Sequence, residues 1–151
     1  MGAGLVSVAT RPGHVAAMLA RQPGIMATAI VSGQALEPLL TRASVLVLGP
    51  GLGRSAWSEQ LLQKALAAGL PTLLDADALN IIAEGRIAVD PQVSGRVMTP
   101  HPGEAARLLN MSVREIEADR FAAVEQLRDK YSAVVILKGP GSLVIGTSKD
   151  P

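Results

Sequence analysis

The sequence predicts an α/β fold built on a mostly parallel central sheet. Short aliphatic runs alternate with amphipathic stretches along the chain, the pattern of strands joined through helices. Hydrophobic residues make up 48% of the 151 residues, yet aromatics are only 2%. The core must therefore be Val, Leu, Ile, Ala and Met. Charged residues are 18%, below the usual ~25%. A parallel sheet is buried on both faces, so its strands read as continuous apolar runs of this kind. The length suits one domain, and such a chain can bury roughly 68–70% of its unfolded surface.

Each element has its own signal. Leu5–Ala9 (LVSVA) reads as a strand, and Gly13–Arg21 as a short helix opened by Pro12. Ile25–Ile30 is a strand, followed by a helix over Gly33–Arg42 with Ala35, Leu36, Leu39 and Leu40 on one face. Val45–Leu48 (VLVL) is a strand closed by Gly49. Ser55 can cap a helix running to Ala68, with Leu61, Leu62, Ala65 and Leu66 at helical spacing. Thr72–Leu74 is the next strand, and Asp77 can cap a helix over Ala78–Glu84. Val97–Met98 is a brief strand before a helix at Pro102–Leu109. Ser112 with Glu115 fits a capping box, opening helical pattern that runs to Tyr131 with a break near Asp119. Val134–Leu137 and Leu143–Ile145 read as a hairpin.

No repeat, linker or low-complexity tract divides residues 1–151, so a single domain is expected. Both ends read as cut. Gly2-Ala3-Gly4 has the look of a helix C-terminal turn with no helix before it, and residues 146–151 that of a turn with no element after it.

Composition excludes several classes. Net charge is +1 with scattered Lys and Arg, and stacking aromatics are nearly absent, so no nucleic-acid partner is expected. The lack of cysteine removes disulfides and thiolate metal sites. No apolar run approaches the ~18 residues of a membrane span, and the N-terminus does not read as a signal peptide. The expectation is a soluble, cytoplasmic protein with no membrane partner.

Four loops each follow a strand, where a doubly wound sheet binds its ligands. Gly49-Pro-Gly-Leu-Gly53 lets the backbone approach a ligand, and the helix after it favours anions. The stretch from Gly51 to Ala56 also fits G-x-G-x-x-A, with Asp75 about 20 residues on, the spacing of a ribose-binding acid. A ligand-free tight turn explains the same glycines. In Asp75-Ala-Asp77-Ala-Leu-Asn80 the carboxylates can hold Mg²⁺ or orient a hydroxyl, or serve as a helix cap and a strand-end acceptor. In Thr99-Pro-His101-Pro-Gly-Glu104 two prolines stiffen the loop around His101. Glu104 suits a first helical turn whether or not it meets a ligand. In Lys138-Gly139-Pro140-Gly141-Ser142 a lysine ending an apolar strand suits an anion, and the glycines can form a backbone nest. A plain hairpin turn is the bland alternative.

Taken in order, GPGLG, DADALN, TPHPGE and LKGPGS resemble the ADP-dependent NAD(P)H-hydrate dehydratases, a carbohydrate-kinase-like family. GAGLVSVAT at the start is similar to that family's second strand, so the resemblance spans essentially the whole chain. It implies a ribokinase-like three-layer sandwich with a mostly parallel central sheet, incomplete at both termini. The implied activity is nicotinamide-nucleotide repair: S-NADHX or S-NADPHX is dehydrated to NAD(P)H while ADP, or ATP in some members, yields its phosphoryl group. By motif position, Gly51, Gly53 and His101 would contact the hydrated dinucleotide. Lys138, Gly139, Pro140, Gly141 and Ser142 would hold the nucleotide co-substrate. Asp75, Asp77 and Asn80 would line the substrate site, and Glu104 would touch Mg²⁺ through water. The family's catalytic Asp belongs to a GGxGD motif that residues 1–151 do not contain, so no catalytic residue is assigned. Gly24 also stands after Pro23 where the family usually carries an acid. A homo-oligomer is implied, fused to or acting with an epimerase. The competing readings are a Rossmann-type NAD-binding oxidoreductase domain, resting on the stretch Gly51–Ala56 with Asp75, and a non-catalytic nucleotide-binding fragment.

Overall fold

The computed structural model describes residues 4–147. The turns read at residues 2–3 and 148–151 lie outside the described residues. The chain divides into two compact units, Met1–Ala43 and Ser44–Pro151.

In the first unit, β1 (Ser7–Thr10) pairs in parallel with β2 (Met26–Ala29), with Ser7 opposite Met26. A 3-10 turn over Pro12–His14 and helix α1 (Val15–Arg21) make the crossover. The helix expected over residues 33–42 is split into a 3-10 turn, Gly33–Leu36, and α2, Glu37–Leu40. Pro38 supplies the reason. It has no N–H to bond the carbonyl four residues back, so a continuous α-helix cannot cross that junction.

The second unit carries β3 (Leu46–Leu48), α3 (Ala56–Ala67), β4 (Thr72–Leu74), α4 (Ala76–Ala83) and β5 (Arg96–Met98). These are followed by α5 (Pro102–Leu109), α6 (Val113–Ala118), α7 (Arg120–Tyr131), β6 (Val134–Leu137) and β7 (Leu143–Ile145). The sheet order is β3-β4-β5-β6-β7, parallel except for the final antiparallel pair. Each crossover steps to the next strand in the same direction. With a constant right-handed sense, such a series puts every helix on one face.

Burial follows that geometry. Leu74, Met98, Val135 and Leu137 share one sheet face and are fully buried. They form one cluster with Leu62 of α3, Leu79 and Ile81 of α4, Leu108 of α5, Ile116 of α6 and Leu127 of α7. The opposite face carries Val47, Leu73, Val97, Ile136 and Val144. Within this unit the sheet and its helices make two layers.

Local chemistry sets the helix ends. Ser55 caps α3, accepting from the Ser58 backbone N–H. Ser112 and Glu115 form the expected capping box, with Glu115 Oε2 accepting from Ser112 N at 2.7 Å. Asp119 breaks the helical run with φ −145° and ψ 84°, then caps α7 by accepting from Ala122 N at 2.9 Å. One cap differs from expectation. Helix α4 starts at Ala76, so Asp75 is its N-cap and Asp77 lies in its first turn. No helix among the described residues is long and apolar enough to cross a membrane.

Candidate functional site

Because β3 to β6 are parallel, the four loops singled out in the sequence emerge from one edge of one sheet. The ladder continues past the strand ends and fixes their relative height. Asp75 N donates to Leu48 O at 3.0 Å, Thr99 N to Leu74 O at 3.0 Å, and Lys138 N to Pro100 O at 2.8 Å. The first residues of three loops are thus held in register by backbone bonds. The packing at the first loop is tight. A Cβ at Gly49 would lie 1.7 Å from Asp75 O, and its φ is +127°, so only glycine fits there.

Lys138 reaches across this edge. Its Nζ donates to Asp75 Oδ1 at 2.7 Å and lies 4.0 Å from Glu104 Oε2. Asp75 also accepts from Ala76 N at 2.9 Å. Burial pushes the Asp75 carboxyl up, but the bonds from Lys138, Ala76 and Thr99, with the Lys138 charge, hold it below its ordinary value of 3.8. Ala76, between the two acids, has φ +47°. A left-handed alanine costs about 1–2 kcal/mol, strain of the kind found at functional sites.

Asp77 serves the neighbouring loop. Its Oδ2 accepts from Gly53 N at 2.8 Å, tying the glycine loop to α4. Gly51 and Gly53 have φ of +67° and +73°. Asn80 turns towards α5: its Nδ2 donates to Ala76 O at 3.2 Å, and its Oδ1 accepts from Arg107 Nη1 at 2.9 Å. It braces the site and touches neither glycine loop through these bonds.

His101 is the N-cap of α5. Its Nδ1 accepts from Gly103 N at 3.0 Å, so the neutral ring carries its proton on Nε2, which faces Glu104 Oε1 at 3.4 Å. Glu104 is buried and completes the cap, with Oε2 accepting from His101 N at 2.9 Å. A Cβ at Gly103 would sit 2.9 Å from the imidazole, so glycine there makes room for the ring. The ring remains half exposed at the carboxyl edge. Oε2 makes the cap bond, while Oε1 lies 3.4 Å from His101 Nε2. Among the described residues no three His, Cys, Asp or Glu group to hold a metal ion.

The fourth loop has a partner that the sequence reading missed. Arg120 Nη2 donates to Leu137 O and Lys138 O, and Nη1 donates to Pro140 O, each at 3.3 Å. Its signal was faint: a cation at the first position of α7, where the helix dipole favours an acid.

Comparison with known proteins adds a lineage. A family model described as NAD(P)H-hydrate dehydratase matches residues 1–150. The bifunctional NAD(P)H-hydrate repair enzyme of Coxiella burnetii is 48% identical over 144 residues, covering 95% of this chain and 29% of that protein. The ADP-dependent (S)-NAD(P)H-hydrate dehydratase of Streptococcus pneumoniae is 33% identical, covering 95% of this chain and 49% of that protein. A ribokinase-like superfamily protein from Enterococcus faecalis superposes with a TM-score of 0.81 at 25% identity, covering 96% of this chain and 51% of that one. The chain thus spans about half, or less, of the proteins it matches, and its fold is ribokinase-like. The Rossmann reading is not favoured: these likenesses point elsewhere, and Asp75, its ribose acid, is bonded to Lys138.

Proposed function

The chain belongs to the NAD(P)H-hydrate dehydratase family, and from that premise we propose that it forms part of an ADP-dependent (S)-NAD(P)H-hydrate dehydratase. The observation that carries the proposal is Lys138, reaching from the fourth loop to Asp75 on the second at 2.7 Å, with Glu104 of the third beside them. One cation and two glycine loops on a single edge suit phosphoryl transfer, which asks for positioning and positive charge more than covalent chemistry. In the proposed reaction the terminal phosphoryl of ADP passes to the ring hydroxyl of the hydrated nicotinamide, leaving AMP. Loss of that phosphate, with a ring proton, restores NAD(P)H.

The residues divide by loop. Lys138 to Ser142 hold the phosphates and ribose of ADP, or of ATP. Gly51, Gly53 and His101 contact the hydrated dinucleotide, while Asp75, Asp77 and Asn80 shape that side of the edge. Mg²⁺ would travel with the nucleotide phosphates and meet Glu104 only through water, because hard-cation cages need several free oxygens and one oxygen of this carboxylate is already committed to its cap. No step is routed through the ion.

The finer settings belong to the same proposal. A dehydratase that takes only the S-epimer needs an epimerase for the R-epimer, and the Coxiella relative is bifunctional by name. We place the protein in the cytoplasm as a homo-oligomer. The support for self-association is the open sheet face, where Val47 and Val144 are 65% and 68% exposed.

The test is binding first, turnover second. Calorimetry with Mg·ADP and, separately, with hydrated NADPH is expected to show Lys138→Ala weakening ADP and His101→Ala weakening the dinucleotide. Recovery of reduced-nicotinamide absorbance should require ADP. If neither substitution changed either affinity, the assignment of loops to ligands would be wrong.

A further inference from the structure

Arg120 is poorly placed for stability. It occupies the first position of α7, where the aligned peptide dipoles present partial positive charge. Its Nε is buried without a hydrogen-bond partner, and a donor stripped of water with no acceptor is a net cost. Neither feature would favour arginine if the side chain served only its own helix.

The contacts explain the choice. The guanidinium spans three carbonyls, Leu137, Lys138 and Pro140, which bracket the turn after β6. A planar fork with several fixed donors can bridge them at once, and a lysine ammonium cannot. Gly139 lies against the same group: a Cβ there would sit 2.7 Å from Nη2 and 3.0 Å from Cζ. Arginine and glycine therefore fit as a pair. Three carbonyls turned towards the guanidinium fix the orientation of the peptide planes between them, and with it the loop's backbone.

We propose that Arg120 is a positioning residue that clasps the Lys138–Ser142 loop in the conformation that receives the phosphates of a nucleoside diphosphate. This deepens the function proposed above and rests on it. Arg120 itself need not touch the nucleotide.

The experiment is ADP calorimetry on the full chain, with hydrated NADPH binding as the control, for Arg120→Met, Arg120→Lys and Gly139→Ala. Arg120→Met keeps the apolar stem and removes the fork; Arg120→Lys keeps the charge and removes the planar geometry. Both are expected to weaken ADP about tenfold, or ~1.4 kcal/mol, with dinucleotide affinity unchanged. Gly139→Ala displaces the guanidinium and should reproduce the loss. The double variant with Arg120→Met should be no worse than either alone, the mark of one shared interaction. If Arg120→Lys binds ADP like wild type, charge alone matters and the clasp is overturned. If Arg120→Met and Gly139→Ala, both still folded, bind normally while Lys138→Ala does not, the clasp fails and the functional reading survives. A wild-type chain that binds no ADP overturns both.

Discussion

Asp75 accepts from Lys138, 63 residues away, at 2.7 Å, and that bond makes a prediction about acid. The carboxyl is pushed up by burial, but Lys138, the Ala76 N–H and Thr99 together bring it below 3.8. A depressed folded value means that the folded chain binds the Asp75 proton less tightly than the unfolded chain does. The stabilisation is fully present above the unfolded value, near 3.8, and is lost as pH falls through the folded one. Asp75→Asn should therefore be less stable than wild type at neutral pH, and the gap should close in the acid range below 3.8. Urea unfolding at a series of pH values reads this directly. A gap that stays constant through the acid limb would show that ionisation of Asp75 does not contribute.

At the scale of the element, α3 shows how a helix start can organise a loop. Ser58 is fully buried, and its Oγ donates to Leu52 O at 2.7 Å while accepting from Ser55 N at 3.3 Å. The helix cap and the glycine loop thus share one hydroxyl. Ser58→Ala removes it and leaves Leu52 O without that donor, at a cost of about 1–3 kcal/mol. A denaturant midpoint lowered by less than the equivalent of ~0.5 kcal/mol would show that this bridge is dispensable. Such links also mark what the sequence could reveal. Helix α5 spans the expected Pro102–Leu109, because Pro102 opens it and Glu104 suits its first turn; in the structure Asn110 ends it with φ +56°. The N-cap of α4 is Asp75 and not the expected Asp77, and Asp75 owes its setting partly to Lys138 in the loop after β6, outside any local window. The split of the 33–42 helix is legible in Pro38, which lacks the N–H that a continuous helix needs there. All four segments follow an aliphatic strand, and three of them carry glycine or proline; the second, Asp75–Asn80, carries neither and from Ala76 onward is the start of α4. Their cross-links were not legible. Asp77 to Gly53, Asn80 to Arg107 and Arg120 to the Lys138 loop all join residues 17 or more apart.

At the scale of the whole molecule, strand order governs what is covered. Steps from β3 through β6 in one direction put α3 to α7 over one face of the sheet, and the aliphatic cluster lies between them. The other face is also aliphatic, because parallel strands carry apolar residues at successive positions, and Val47 and Val144 remain 65% and 68% exposed there. An aliphatic surface in water is an energetic liability, and a patch of this kind takes up apolar dyes. Replacing both valines by lysine should clearly lower dye binding by the dissociated chain. It should change the stability of the fold by only about 0.5 kcal/mol, since neither side chain joins the buried cluster. Fluorescence titration and a denaturant series on the same double variant separate the two effects. Unchanged dye binding would mean that these positions are not the accessible apolar surface, while a large loss of stability would mean that the valines are packed against something the exposed face does not reveal.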